Sequence, residues 1–357
     1  MKRRHLMAAM AATMLAGRAR ASLNEPADLA EAAVSVWQAW KEVHLTPDGR
    51  VVDVLQQEAS HSEGQGYGMV LASAFDDRDA FSRMFDWAEL NLARRADGLL
   101  SWRWLPHLSD QVPDLNNASD GDLFYAWALL RGGRRWDDAG YMSRAVGIAR
   151  ALTETCIVRD PSDPDRLLLL PAAAGFVHDG AVTVNPSYYM PLAMRELADA
   201  AGADSLSRCA RDGEELLARI ASDGLVPDWI DVSADGWAPS VRLDSNTGYE
   251  ALRVPLFLAW SGAVSHQAVL QAARAYDRTV RPGQPVPTVL EPVSGVVLET
   301  SPDDGYRALA GLVRCARDGG PGAEIPPFNP HQPYYPATLH LLALLAANKV
   351  LPECVPI

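Results

Sequence analysis

One arrangement recurs six times along this chain: polar and aromatic residues stand directly before an apolar, helix-forming run. It begins as Ser62-Glu63-Gly64-Gln65-Gly66-Tyr67 ahead of GMVLASAF. It returns at 116–122 ahead of LFYAWALL, and as Asn185-Pro186-Ser187-Tyr188-Tyr189 ahead of MPLAMREL. Thr247-Gly248-Tyr249-Glu250, Asp303-Asp304-Gly305-Tyr306 and Gln332-Pro333-Tyr334-Tyr335 complete the set. Between these runs, amphipathic helices with charged faces are expected near 26–43, 78–96, 136–155, 205–222 and 265–278. A helix that is apolar all round belongs inside, and a one-faced helix belongs outside. Six inner and five outer helices in alternation make a toroid of helical hairpins. In such a ring the inner helices run the same way, so their six starts gather at one mouth. Strand-like alternation is confined to short pieces at 166–170 and 286–290.

Helix capping accounts for some of these polar residues, since Asn, Ser and Asp satisfy orphan N–H groups at any helix start. Capping suffices for Asp120 and Ser187. It does not explain why Tyr, Glu and Trp crowd the same six positions, and a functional groove is expected there as well.

The chain is 48% hydrophobic over 357 residues, enough for one large core and a single domain at 22–357. Residues 1–21 read as an export signal: basic Lys2-Arg3-Arg4, apolar Leu6 to Gly17, then Ala19-Arg20-Ala21 as the cleavage site. Arg3-Arg4 also fits a twin-arginine signal, so the general and twin-arginine routes both stand, and the mature chain is expected to be periplasmic or secreted. The apolar run is too short to span a bilayer, and no later one reaches about 18 residues. Removing the five Lys/Arg of 1–21 takes the net charge from −13 to −18. Such a chain repels phosphate and anionic lipid, which argues against nucleic-acid or membrane-surface partners. Cys156, Cys209, Cys315 and Cys354 are scattered without metal-ligand spacing, so neither a metal nor another cofactor is expected. Free buried thiols and one disulfide fit the four cysteines equally well.

A mouth rich in carboxylates and aromatics, without a Ser-His-Asp or Cys-His order, points to glycoside hydrolysis. That reaction needs a protonated carboxylic acid at the leaving oxygen and a carboxylate to activate water. Aromatic rings supply flat platforms for the apolar faces of sugars. Trp102 and Trp104, in Ser101-Trp102-Arg103-Trp104, lie between two hairpins and suit that purpose.

Ser62 to Met69, Ala118-Ser119-Asp120-Gly121-Asp122-Leu123, Asn185 to Tyr189, and Gly248-Tyr249-Glu250-Ala251-Leu252-Arg253-Val254-Pro255 together resemble glycoside hydrolase family 8. The likeness runs in order from about Trp37 to Leu345, and extends to the periplasmic cellulases encoded with bacterial cellulose synthase. It implies an (α/α)6 barrel and an endo-acting β-1,4-glucanase that inverts the anomeric carbon. A β-1,4-glucan would be the substrate, and the cellulose-exporting machinery a candidate partner. Glu63 matches the family's proton donor. Asp120 matches an active-site Asp, to which we assign sugar holding and stabilisation of oxocarbenium charge. Its charge would also raise the pKa of Glu63 against the pull of the helix start. Asp122, within the first helical turn, reads as structural.

The family usually places Asp after the Tyr of the fourth motif, where this chain has Glu250. One methylene longer, Glu250 still reaches a water if backbone or sugar shifts. Asp244, six residues earlier, is the alternative base. Glu250 is preferred because Tyr249 and Arg253 match sugar-contacting neighbours. Tyr188 and Tyr335 complete the binding candidates, Arg253 holding sugar hydroxyls or orienting a carboxylate. Asp53 reads either as a site residue or as a solvated loop acid, and His61 as incidental. Chitosan and xylan remain alternative substrates, chitosan because a chain this acidic attracts a cationic polymer. A weakly catalytic glycan-binding accessory protein is the alternative outside enzymes.

Overall fold

The structure, a computed structural model, describes residues 26–319 and 325–355; the proposed export signal lies outside them. Eleven α-helices are present among the described residues: α1 Pro26–His44, α2 Ser62–Ala74, α3 Arg78–Asn91, α4 Ser119–Trp136, α5 Ala139–Thr155, α6 Pro191–Ala201, α7 Asp204–Asp223, α8 Arg253–Trp260, α9 Gln267–Thr279, α10 Asp304–Asp318 and α11 Tyr334–Val350. The inner layer is α2, α4, α6, α8, α10 and α11. It closes on itself through α2–α4, α4–α6, α6–α8, α8–α10, α10–α11 and α11–α2 packing. Outside it, α3, α5, α7 and α9 each follow an inner helix, and α1 lies against α11. This is the (α/α)6 barrel.

The outer helices fall within a few residues of their expected positions, because a one-faced pattern announces itself in sequence. Among the inner helices, α8 is buried at every residue, and α2, α4 and α11 nearly so. By contrast α10 is amphipathic, with Arg307, Arg314 and Arg317 outward of its buried stripe. No outer helix among the described residues separates α10 from α11, so α10 keeps a solvent face. Cys315 near the end of α10 forms a disulfide with Cys354 in a 3-10 turn after α11, while Cys156 and Cys209 are buried free thiols.

Among the described residues, ten short strands sit in the connections. β1 (Ser60–His61) pairs with β2 (Arg103–Trp104), and β3 (Ile157–Asp160) with β4 (Asp163–Leu169). A four-stranded antiparallel sheet follows in sequence order, β5 (Val177–His178), β6 (Ala181–Val184), β7 (Ile230–Ser233) and β8 (Gly236–Pro239). β9 (Val286–Leu290) and β10 (Val297–Ser301) form a hairpin. β4 and β9 coincide with the two alternating stretches. The four-stranded sheet was not expected, since strands of two to four residues carry almost no periodicity. Its local signal is Asp179-Gly180, both at positive φ (46° and 76°), a turn that joins β5 to β6.

Candidate active site

The six inner helices share a property at their starts. None has a hydrogen bond from its N-cap side chain, whereas Asp77, Asp138 and His266 cap the outer α3, α5 and α9. The capping explanation for Asp120 and Ser187 therefore fails. The N-cap of α4 is Ala118, Asp120 lies inside the first turn, and Ser187 precedes α6 in a separate 3-10 turn. Their side chains turn instead to Arg253.

Arg253, the first residue of α8, is 2% exposed and joins four segments. Its Nη1 donates to Glu63 Oε2, to Asp120 Oδ2 (3.2 Å) and to the Tyr67 hydroxyl (3.1 Å). Its Nη2 donates to Glu250 Oε2 and to Ser187 Oγ (2.8 Å). Glu63 and Glu250 thus stand on separate amino groups of one guanidinium, which lies between them. Asn185 Nδ2 donates to Glu250 Oε2 at 3.0 Å.

Glu63 reaches this point because β1–β2 pairing ties the start of α2 to the Ser101–Trp104 loop, with Ser62 N–H donating to Trp102 C=O at 3.0 Å. Asp120 reaches it because α4 starts against α2. A Cβ on Gly121 would stand 2.1 Å from Ser62 Oγ and 2.7 Å from Glu63 N, so that contact admits only glycine.

Burial pushes Glu63 up to about 8. Arg253 pulls it down, while the charges of Asp120 and Glu250, and a hydrogen bond to Asp120, push it up again. Asp120 is raised by burial against the pull of Arg253. Burial alone would lower Arg253, but the surrounding carboxylates and tyrosines keep it charged. Three carboxyls around one cation favour retention of a proton, and the upward push on Glu63 makes it the group suited to hold one.

A cavity of about 510 Å³ opens beside the cluster, lined by Asp53, Glu63, Tyr249, Glu250, Tyr306 and Tyr335 among others. Tyr249 is 42% exposed, and its hydroxyl donates to Glu299 Oε2 at 3.2 Å. Tyr335 donates its hydroxyl to Tyr249 C=O at 2.5 Å. Tyr188 lies 5.7 Å beneath the Arg253 guanidinium. Asp53 caps the 3-10 turn Val54–Gln56, accepting from Leu55 N–H at 3.1 Å.

The two tryptophans part company. Trp102 is half-buried, stacks on His61 at 6.1 Å, and carries the Arg103 guanidinium 4.9 Å over its ring. Trp104 is 9% exposed and turns into the core, edge-on to Trp87 at 5.5 Å under Arg50. Residues two apart on a strand share a face, but Trp102 precedes β2 (Arg103–Trp104), so strand geometry does not hold the two rings together.

Asp244 lies in an exposed turn and accepts from Asn246 N–H, apart from the Arg253 cluster. Asp122 is buried and accepts from Leu100 N–H (2.8 Å) and Asn117 Nδ2 (2.9 Å), a structural clamp. Sequence reading missed Tyr67, Asn185 and the hydroxyl of Ser187 as members of the cluster. Tyr67 was within reach, four residues after Glu63 and so on the same helix face. The stacked pair Phe176 and Trp229 (5.9 Å, 6°) beside Tyr188 carried no signal, because the unexpected sheet brings them together.

Comparison with known proteins agrees with this architecture. A probable endoglucanase of Novacetimonas hansenii is 32% identical over 88% of this chain and 91% of its own. The endoglucanase Cel10 of Klebsiella pneumoniae superposes with a TM-score of 0.79 at 29% identity, over 88% of this chain and 99% of that one. The endo-β-1,4-glucanase CMCax of Acetobacter xylinum gives 0.79 at 29%, over 90% and 99%. Residues 4–349 match the family described as glycosyl hydrolases family 8. That match covers nearly the whole helical ring, and the chain belongs to glycosyl hydrolases family 8.

Proposed function

We propose that the chain is an exported endo-β-1,4-glucanase that hydrolyses with inversion, Glu63 acting as acid and Glu250 as base. The observation that carries this reading is the Arg253 cluster, in which Glu63, pushed toward its protonated form by burial, faces Glu250 across the guanidinium. Glu63 would give its proton to the glycosidic oxygen as the C1–O bond breaks. Glu250 would take a proton from the water whose oxygen attacks C1 from the opposite face. Asp120, held on the same Arg253, would stabilise positive charge at the central sugar. Trp102, Tyr188, Tyr249, Arg253 and Tyr335 would contact sugar units, while Trp104, packed on Trp87, belongs to the core.

The names of the similar proteins favour a β-1,4-glucan, and so does local charge. Arg103 over the Trp102 ring places positive charge where a sugar would stack, which disfavours chitosan despite the acidity of the whole chain. Export through a signal at 1–21, and service to a cellulose-exporting machine, belong to the same reading. Among the described residues no helix is long and apolar enough to cross a membrane.

The test is to incubate protein with carboxymethylcellulose, xylan and chitosan, following reducing ends and the anomer of fresh product by NMR. Release of α-anomer first, from the glucan, is expected. Initial release of β-anomer would overturn inversion, and turnover of chitosan alone would overturn the substrate.

A further inference from the structure

Glu250 does not sit on a helix. It lies in the turn Gly248–Leu252 that precedes α8, a segment free to adopt other paths unless something fastens it. Its own Leu252 N–H to Gly248 C=O bond (3.0 Å) closes the turn, and a buried carboxylate from a distant loop grips it from outside. Asp228, 6% exposed, accepts two backbone hydrogen bonds on one oxygen, Oδ1: from Gly248 N–H at 2.8 Å and from Ala251 N–H at 2.7 Å. Those two amides bracket Tyr249 and Glu250. Asp228 itself is anchored, since its own N–H donates to Asn246 C=O at 2.7 Å and it opens the run into β7. The fit is close, because a Cβ on Gly248 would stand 2.7 Å from Asp228 Oδ2.

We propose that Asp228 is a positioning residue for the base: by gripping both ends of the Gly248–Ala251 turn it aims the Glu250 carboxylate at the attacking water. The inference rests on the assignment of Glu250 as base. It also explains how a base with an extra rotatable bond is kept in place. Glu250 is fixed at its tip by Asn185 and Arg253, and at its root by Asp228. Tyr335, donating to Tyr249 C=O, holds the middle of the same turn. A carboxylate that receives two charge-assisted bonds from one turn constrains it more firmly than a neutral acceptor would. Displacement of a catalytic group by about 1 Å costs on the order of 100-fold in turnover.

The experiment is a double-mutant cycle on carboxymethylcellulose and a soluble cello-oligosaccharide, read as kcat and KM well below the melting temperature of each variant. Asp228→Ala should lower kcat about 100-fold with KM little changed. Asp228→Asn, which keeps an acceptor oxygen, should recover most of that loss. In the Glu250→Gln background Asp228→Ala should add no further loss, because a residue that acts only through Glu250 has nothing left to aim. Should Asp228→Ala fail to fold, Gly248→Ala replaces it, pressing on Oδ2 from the turn side, and a drop in kcat is again expected. Unchanged kcat in Asp228→Ala, a loss in KM alone, or a fully additive loss on top of Glu250→Gln overturns the positioning role. Near-normal turnover in Glu250→Gln with abolition in Asp244→Asn instead overturns the base assignment, whatever Asp228 does.

Discussion

Glu63, Asp120 and Glu250 draw on the single positive charge of Arg253, and the balance among them sets how activity and stability respond to pH. An acid catalyst works only while protonated, so kcat/KM should decline on the alkaline side as Glu63 ionises near its raised value of about 8. A pH–rate profile on a soluble glucan checks this, and Glu63→Gln should lower kcat by about 10²–10⁴-fold. Stability follows the same proton. The folded value of Glu63 lies above its unfolded value of about 4.3, so the folded state binds the extra proton between the two. That contribution is fully present below the unfolded value and is lost as pH rises through about 8. Asp122, raised to about 7 by burial, acts in the same direction. The melting temperature should therefore fall from pH 5 to pH 8, and Glu63→Gln should flatten that slope. Glu63, Asp120 and Glu250 were legible in sequence because each stands at the start of an apolar run. The burial of Trp104 was not, because the Trp87 it packs against is brought to it only by the fold.

Among the elements, the starts of the inner helices do two things at once. They leave backbone N–H groups and short polar side chains at the mouth, and they pack closely enough to bring α2 and α4 residues onto one guanidinium. Gly121 is where those demands meet. Gly121→Ala would force Ser62 and the Glu63 backbone aside, costing about 1–3 kcal/mol from overpacking. The shift at Glu63 should also lower kcat by on the order of 100-fold. Urea unfolding and reducing-end release measure the two losses separately, and a stable but inactive variant would place the effect in alignment alone. Helix periodicity made the outer elements readable to within a few residues. The β5–β8 sheet stayed hidden, because its strands are too short to repeat a pattern and its partners are some fifty residues apart.

Across the described residues, the ring is closed by contacts of α11 with α2 and of α1 with α11, joining the first helix to the last. The alternation of helix types was enough to foresee a closed ring with one mouth. It could not foresee which of the six possible cysteine pairs would be bridged, since each depends on where the chain returns. The Cys315–Cys354 bridge spans 39 residues, and closing a loop of that length removes about 4 kcal/mol of unfolded-state freedom. Replacing both cysteines by Ala should lower the urea midpoint accordingly while leaving kcat at 25 °C near normal, since neither sulfur approaches Arg253.

The same bridge changes what a broken peptide bond would do. The segment between Cys315 and Cys354 holds all of α11, with Tyr334 and Tyr335 at its start. A single protease cut between the two cysteines leaves both fragments covalently joined, so α11 stays with the ring. Such a nicked protein would run as one band without reductant and as two with it. A cut in that segment would therefore break the chain without separating α11 from the ring.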